Sequence, residues 1–376
     1  MGATGNPSVV LVETAPAGER GSMARYAALV ADALAGSAGA IAVSRLNLAP
    51  SAAFLRRFPR GLRTWVKHAW IGCAARSRLA HLQADVVHVL DGSHAYVFAC
   101  PLPGKAVATV HDMIPLLQIA GSFGTPGPKP PARWLIQRSV QGLRRATLLV
   151  ADSASTRNDL CRLAGVDAAR VRVIWPALDH AVSATAGQEV PRANGGLPFV
   201  LHVGNDAFYK NRPGVLRVFG RIRSAVEARL VMAGAAPDRS LRRTVRALGL
   251  ESCVRFVADP DDATLAGLYR TAALLLFPSL YEGFGWPPLE AMASGCPVVC
   301  SFVASLPEIV GDAALTAPPA DEAALAQLGV SVLRDPALAA RLSRAGRERC
   351  RAFRAERMAV ELVSAYREVA AAGAVR

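Results

Sequence analysis

Short apolar runs alternate along this chain with longer stretches in which apolar residues recur every three or four positions. In the first half the runs are residues 9–12, 86–89, 106–110 and 147–151; in the second they are 199–203, 229–233, 254–257, 274–277 and 298–300. Uninterrupted apolar runs of this length suit strands buried on both faces, and the helical periodicity between them suits helices that cover those faces. The pattern predicts an α/β chain built on parallel sheets. Residues 183–196 break it with a polar, Gly-containing stretch that reads as a linker. Residues 121–131, rich in Gly and Pro, read as an exposed loop. A length of 376 residues favours two domains with ample core.

The most informative segment runs from Glu282 to Val299. The preceding strand stops at Pro278, and a Gly-bracketed turn, Glu282-Gly283-Phe284-Gly285, follows. A helix is expected to open at Pro287-Pro288, because proline fits a first turn whose N–H groups lack partners anyway. That helix carries a second carboxylate, Glu290, eight positions after Glu282. A helix N-terminus at the carboxyl edge of a parallel sheet is a phosphate site. Carboxylates repel phosphate but accept hydrogen bonds from hydroxyls, so the pair suggests a sugar or ribose beside the phosphate.

Composition narrows the classes. Hydrophobic residues make up 52%, which excludes a disordered chain. No uncharged apolar run approaches a membrane span, and no basic stretch precedes the first strand as in a signal peptide. The seven cysteines are scattered singly, the pattern of reduced thiols in a cytoplasmic protein. Cys296 and Cys300 flank a buried strand without histidine company and read as packing.

The net charge is +14, and most of the excess lies in the first half. Residues 33–84 hold no acidic residue but eight Arg and Lys, with Phe58, Leu62, Trp65, Val66, Ala69 and Trp70 at helical spacing. A basic amphipathic helix is expected over 54–82. It reads either as a helix lying on anionic lipid or as an ordinary helix with its stripe against the sheet. Zinc spacings and RNA-binding aromatic signatures are missing, so nucleic acid is not an expected partner. Asp259-Pro260-Asp261 could suggest a metal site, but Asp261 and Asp262 stand where a helix needs an N-cap and first-turn charges. Lys210 is one of only four lysines against 39 arginines. A compact ammonium suits diphosphate oxygens in a tight site, whereas a chance surface lysine is the plain alternative.

Taken in order, Thr109-Val110-His111-Asp112-Met113-Ile114-Pro115-Leu116, His202-Val203-Gly204-Asn205 with Lys210-Asn211, the Glu282–Val299 segment and Leu306-Pro307-Glu308-Ile309-Val310-Gly311-Asp312 resemble the motifs of the retaining glycosyltransferases of family four. The resemblance implies the GT-B fold, two Rossmann-like domains facing across a cleft. It implies an acceptor-binding domain over residues 1–182, a nucleotide-sugar domain over 197–353, and a last helix (354–376) crossing back to the first domain. By the same resemblance Glu282 holds donor-sugar hydroxyls, Glu290 holds the nucleotide ribose, and His111 sits near the reacting sugar. Gly21, in a loop ahead of a helix capped by Ser22, borders the cleft. Asn205, Lys210 and the Gly283, Phe284 and Gly285 amides meet the donor. Family members often carry an arginine six positions before the lysine; Gly204 stands there, and Arg212 is the candidate second cation. No metal and no cofactor are expected.

The motif variants look most like a mannosyltransferase branch that uses GDP-mannose to extend a polyprenyl-diphosphate-linked glycan in lipopolysaccharide or exopolysaccharide synthesis. Such an enzyme would be cytoplasmic, at the inner face of the plasma membrane if the basic helix binds lipid. UDP-hexose donors, a GT-B epimerase or phosphorylase, and a basic nucleotide- or nucleic-acid-binding protein without activity remain as alternatives.

Overall fold

The computed structural model describes residues 6–18, 21–36, 41–178 and 196–372. The chain divides into two compact units, one formed by Met1–Ala177 with Phe353–Arg376 and the other by Leu178–Ala352. The expected linker at 183–196 lies outside the described residues except for Gly196.

The first unit holds six parallel strands: β1 (Ser8–Glu13), β2 (Ala42–Asn47), β3 (Val86–Val89), β4 (Lys105–Val110), β5 (Leu148–Ala151) and β6 (Val171–Val173), ordered β2-β1-β3-β4-β5-β6. The inner strands β3 and β5 are buried at every position, which is why they stand out as apolar runs. The edge strand β2 is exposed at four consecutive positions, has no such run, and was not expected from the sequence. Helices Ser22–Ala35 and Ala355–Ala371 pack on each other, so residues from beyond the second unit complete this one. Its core joins Val10, Val12, Val87, Val89, Ala108, Val110, Leu149 and Ala151 from the sheet to Ile71, Ala75 and Leu79 from helix Arg60–Leu79.

The second unit repeats the design with β7 (Phe199–Gly204), β8 (Arg229–Gly234), β9 (Val254–Ala258), β10 (Leu274–Phe277), β11 (Val298–Ser301) and β12 (Leu315–Ala317), all parallel, ordered β12-β11-β10-β7-β8-β9. In each sheet the winding reverses once: between β1 and β3, and between β7 and β10. A crevice opens outside the carboxyl ends of the strands at such a reversal, and ligands of open α/β sheets bind there.

Three local expectations need correction. The basic segment is two helices, Ala52–Arg56 and Arg60–Leu79, because Pro59 stands between them and caps the second. The inward stripe of Arg60–Leu79 is Ile71, Ala75 and Leu79, one to two turns later than expected, while Leu62, Trp65 and Trp70 are exposed. The N-cap of the first helix is Gly21, not Ser22, and no side chain caps it.

Candidate active site

In the second unit the β7/β10 crevice is built by two connections that lean on each other. After β7 the chain makes a tight turn, Phe208–Lys210, and Asn211 adopts a left-handed conformation (φ 51°) that starts helix Arg212–Arg223. Asn tolerates that region because its short side chain bonds locally. Its Oδ1 accepts from the Gly214 N–H at 3.2 Å, and its Nδ2 donates to the Pro278 carbonyl at 2.9 Å, tying this turn to the end of β10. The Leu280 N–H donates to the Tyr209 carbonyl at 2.7 Å, a second tie. Lys210 is thereby held opposite Glu282. Its Nζ donates to both carboxylate oxygens at 2.9 Å, with the two side chains 13% and 7% exposed.

The Glu282 turn is pinned from below. Ser305 donates its hydroxyl between the carbonyls of Glu282 (2.9 Å) and Phe284 (2.8 Å). Gly285, at φ 112°, is the N-cap of helix Trp286–Ala293. A Cβ there would come within 2.8 Å of a Leu306 methyl, which could shift, so the backbone angle is what requires glycine. Phe284 is buried edge-on against Trp286, which leaves its backbone rather than its ring for a ligand. Proline occupies the first turn as expected. Glu290 is 2% exposed, and its Oε2 accepts from the Tyr269 hydroxyl at 2.8 Å. Asp261 caps helix Asp262–Thr271 through the Thr264 N–H, in keeping with its reading as a cap.

Arg212, first residue of its helix, is 6% exposed. Its Nη2 donates to the Ala235 carbonyl at 2.8 Å. Four buried side-chain atoms near the carboxyl edge of this sheet lack any hydrogen-bond partner: His202 Nε2, Arg212 Nε, Ser279 Oγ and Ser301 Oγ. Burial pushes the His202 imidazole down to about 3, so the ring is neutral, with Nδ1–H on the Leu276 carbonyl and Nε2 as an acceptor. Nε2 lies 3.0 Å from where a Cβ on Gly204 would stand. Asn205 is exposed and its Oδ1 accepts from the Ala207 N–H, closing a local turn.

In the first unit His111 follows β4 directly. Its Nδ1 is 2.6 Å from Asp152 Oδ2, and its Nε2 is 2.9 Å from the Leu90 carbonyl. Both partners are acceptors, so both nitrogens donate and the ring is an imidazolium. Burial opposes that charge, but Asp152 beside it overrides burial and raises the imidazole to about 9. Both ring nitrogens are therefore taken up by protein partners. The Tyr26 ring meets it edge-on at 4.7 Å. Behind it runs a buried chain of hydrogen bonds, from Tyr26 Oη to Thr109 Oγ1 (3.0 Å), Thr109 to His88 Nε2 (2.9 Å), and His88 Nδ1 to Tyr366 Oη (2.7 Å). Burial, with the His111 charge nearby, holds His88 down at about 3. Gly21 sits at the head of the helix carrying Tyr26; the adjoining Glu19 and Arg20 lie outside the described residues.

The structure thus brings Lys210, Glu282, Gly283, Phe284 and Gly285 together, puts Glu290 on the following helix, and places Arg212 at the β7 side. Sequence reasoning missed Tyr269, Ser305 and Asp152, and gave Asn211, quoted in a motif, no role of its own; these side chains hold the candidates. Of the three missed, only Asp152, directly after an apolar strand, left a readable signal. Among the described residues no group of three or more His, Cys, Asp or Glu is placed to hold a metal ion.

Sequence profiles described as "Glycosyl transferases group 1" and "Glycosyltransferase Family 4" match residues 185–349 and 23–182. The O-antigen chain mannosyltransferase B of Escherichia coli is 30% identical over 70% of this chain and 70% of that protein. The serotype-specific mannosyltransferase WbdA of Escherichia coli is 29% identical over 62% of this chain, but the match takes up 30% of WbdA. Among solved structures, the sucrose-phosphate synthase of Thermosynechococcus elongatus superposes with a TM-score of 0.77 over 97% of this chain and 100% of that one, at 22% identity.

Proposed function

The chain belongs to glycosyltransferase family 4, enzymes of the GT-B fold, and from that membership we propose that it transfers mannose from GDP-mannose to a polyprenyl-diphosphate-linked glycan. The observation that carries the reading is the Lys210–Glu282 pair at the β7/β10 reversal with Glu290 buried on the next helix. This is an arrangement of hydroxyl acceptors beside a helix N-terminus, and so fits a ligand that joins sugar to phosphate. Mannosyltransfer is supported by the names of the two relatives above.

Glu282 accepts hydrogen bonds from donor-sugar hydroxyls, with Lys210 fixing its orientation, and Glu290, steadied by Tyr269, accepts from the ribose. In the reaction the bond from the anomeric carbon to the diphosphate oxygen breaks and a bond to the acceptor oxygen forms on the same face. The acceptor proton passes to the departing phosphate, so no side chain is required as base. Charge grows on the phosphate as the bond breaks. The N–H groups of the Gly283–Gly285 turn and the cations at the end of β7 stabilise it there, where fixed donors count most. His111, with both ring nitrogens donating to Asp152 and the Leu90 carbonyl, is not free to shuttle a proton.

Leu62, Trp65 and Trp70, exposed on a helix whose neighbourhood carries Arg56, Arg57 and Arg60, fit docking on an anionic membrane that presents the lipid-linked acceptor. A UDP-hexose donor is the second reading, since nothing in the carboxylate pair selects the base.

Release of GDP or UDP from a panel of nucleotide sugars, with polyprenyl-linked glycan as acceptor, tests the proposal. GDP release from GDP-mannose that needs the acceptor and disappears in Glu290→Ala is the expected result. Equal release by Glu290→Ala would remove this site from the reaction, and release from UDP-hexoses alone would replace the donor.

A further inference from the structure

The first unit has a reversal of its own, between β1 and β3, and one side chain bridges it. Thr14 directly follows β1, and Asp91 stands two residues after β3, at the head of the 3-10 helix Gly92–Ala99. His94 Nδ1 lies 3.1 Å from Thr14 Oγ1, 3.0 Å from Asp91 Oδ2 and 3.0 Å from Ser93 Oγ. Burial opposes charge on Asp91, but the His94 ring bonded to it, the His111 ring and the Ser93 bond hold its carboxyl well below the usual carboxylate range. Asp91 is therefore a carboxylate, and Nδ1 donates to it. A carboxylate on one ring nitrogen fixes the imidazole and sets the other nitrogen free for a ligand.

That other nitrogen, Nε2, is buried and has no hydrogen-bond partner, on a residue 4% exposed. The His68 ring, from helix Arg60–Leu79, stacks on His94 with centroids 5.0 Å apart, but its Nδ1 is engaged with the Tyr96 hydroxyl at 3.0 Å. Burial, with the His94 ring beside it, pushes His68 down to about 4, so this neighbour is neutral. Ser93 is exposed while its hydroxyl stands 3.0 Å from the His94 ring, which puts the ring one side chain below the surface. A buried polar nitrogen without a partner is costly and calls for a group that completes it. A hydroxyl suits Nε2 in either protonation state, because a hydroxyl both donates and accepts. The carboxyl edge at a reversal is also where an open α/β sheet takes its ligand.

We propose that His94, oriented by Asp91, binds a hydroxyl of the acceptor glycan through Nε2. The inference rests on the transferase reading and adds a contact in the first unit, outside the motifs that carry the resemblance. The hydroxyl held there is not the attacking one, whose proton leaves with the phosphate. The contact positions the acceptor, so its loss falls on KM.

Two amide substitutions separate the two ring nitrogens. His94→Asn keeps a donor near the Nδ1 position and removes the group at Nε2; His94→Gln reaches the Nε2 position and gives up Nδ1. The assay uses whichever nucleotide sugar supports turnover, with a polyprenyl-diphosphate-linked glycan as acceptor. His94→Asn is expected to raise the KM for the glycan about tenfold with kcat and the donor KM near wild type, and His94→Gln to stay within about threefold. The opposite order, with His94→Asn near wild type and His94→Gln impaired, would mean that the ring serves only Asp91 and Thr14, and overturns the inference. A loss that falls on the donor KM instead, or on both alike, overturns it too. Nitrogen NMR of the wild-type chain gives a readout that does not depend on either variant folding: the glycan alone should move the His94 Nε2 resonance and GDP alone should not. A resonance that the glycan leaves in place overturns the inference. Wild type that transfers from no nucleotide sugar ends the transferase reading and the inference with it, whereas transfer unchanged by both substitutions removes the inference alone.

Discussion

His111 and Asp152 form an ion pair at 2.6 Å whose other ring nitrogen is held by the Leu90 carbonyl, so the charge is fixed at both ends. The folded protein keeps this imidazole protonated to about 9, against 6.5 for an unperturbed histidine. A raised folded value contributes stability that is fully present below about 6.5 and lost as pH rises through about 9. Melting temperature is therefore expected to fall between pH 7 and 10, from a contribution on the order of 2 kcal/mol. Asp152→Asn should be less stable at pH 7 and should flatten that slope. An unchanged slope in the variant would show that the pair does not govern it.

Tyr269 and Glu290 supply a second prediction. Without the hydroxyl, Glu290 loses a contact that orients it. Tyr269→Phe is expected to raise the KM for the nucleotide sugar by about tenfold and to leave kcat near wild type. Steady-state kinetics decide, and a fall in kcat at constant KM would place the tyrosine's effect in the chemical step instead.

Most of the framework was legible in the sequence because buried parallel strands write themselves as apolar runs, and β10 (Leu274–Phe277) matches its expected bounds end to end. The strands that escaped notice are β2, β6 and β12, short or solvent-facing edge strands with no run to read. The candidate site divides in the same way. Glu282, Glu290 and Lys210 announce themselves by residue type and spacing, whereas Tyr269 and Ser305 act through contacts that only the packed helices create. The basic helix shows the limit of periodicity: its apolar positions recur correctly, but which of them face inward depends on the break at Pro59.

Lys210 and Glu282 should behave as one unit. Lys210→Met leaves a buried carboxylate alone and is expected to cost about 3 kcal/mol in denaturant unfolding of the unit that holds it. Lys210→Met with Glu282→Gln should recover a large part of that cost, and both variants should be inactive. Strictly additive losses would mean the two groups are not coupled.

Exposed aromatics on the basic helix predict a salt-sensitive membrane affinity. Wild type is expected to sediment with vesicles containing phosphatidylglycerol and to be released at high salt. Trp65→Ala with Trp70→Ala should lower that binding by about tenfold or more. Equal binding to vesicles of phosphatidylcholine alone would count against the arginines, and unaltered binding by the double variant would count against the tryptophans.

His88 and the tyrosine that completes its hydrogen bonds, Tyr366, are 278 positions apart in the chain. During synthesis the first unit therefore emerges with the His88 Nδ1 still waiting for its partner, and with one face of its first helix uncovered. The second unit leaves the ribosome complete, and can fold, before the last helix is made. Order of translation and order of completion are thus reversed: the part of the protein made first is the part finished last.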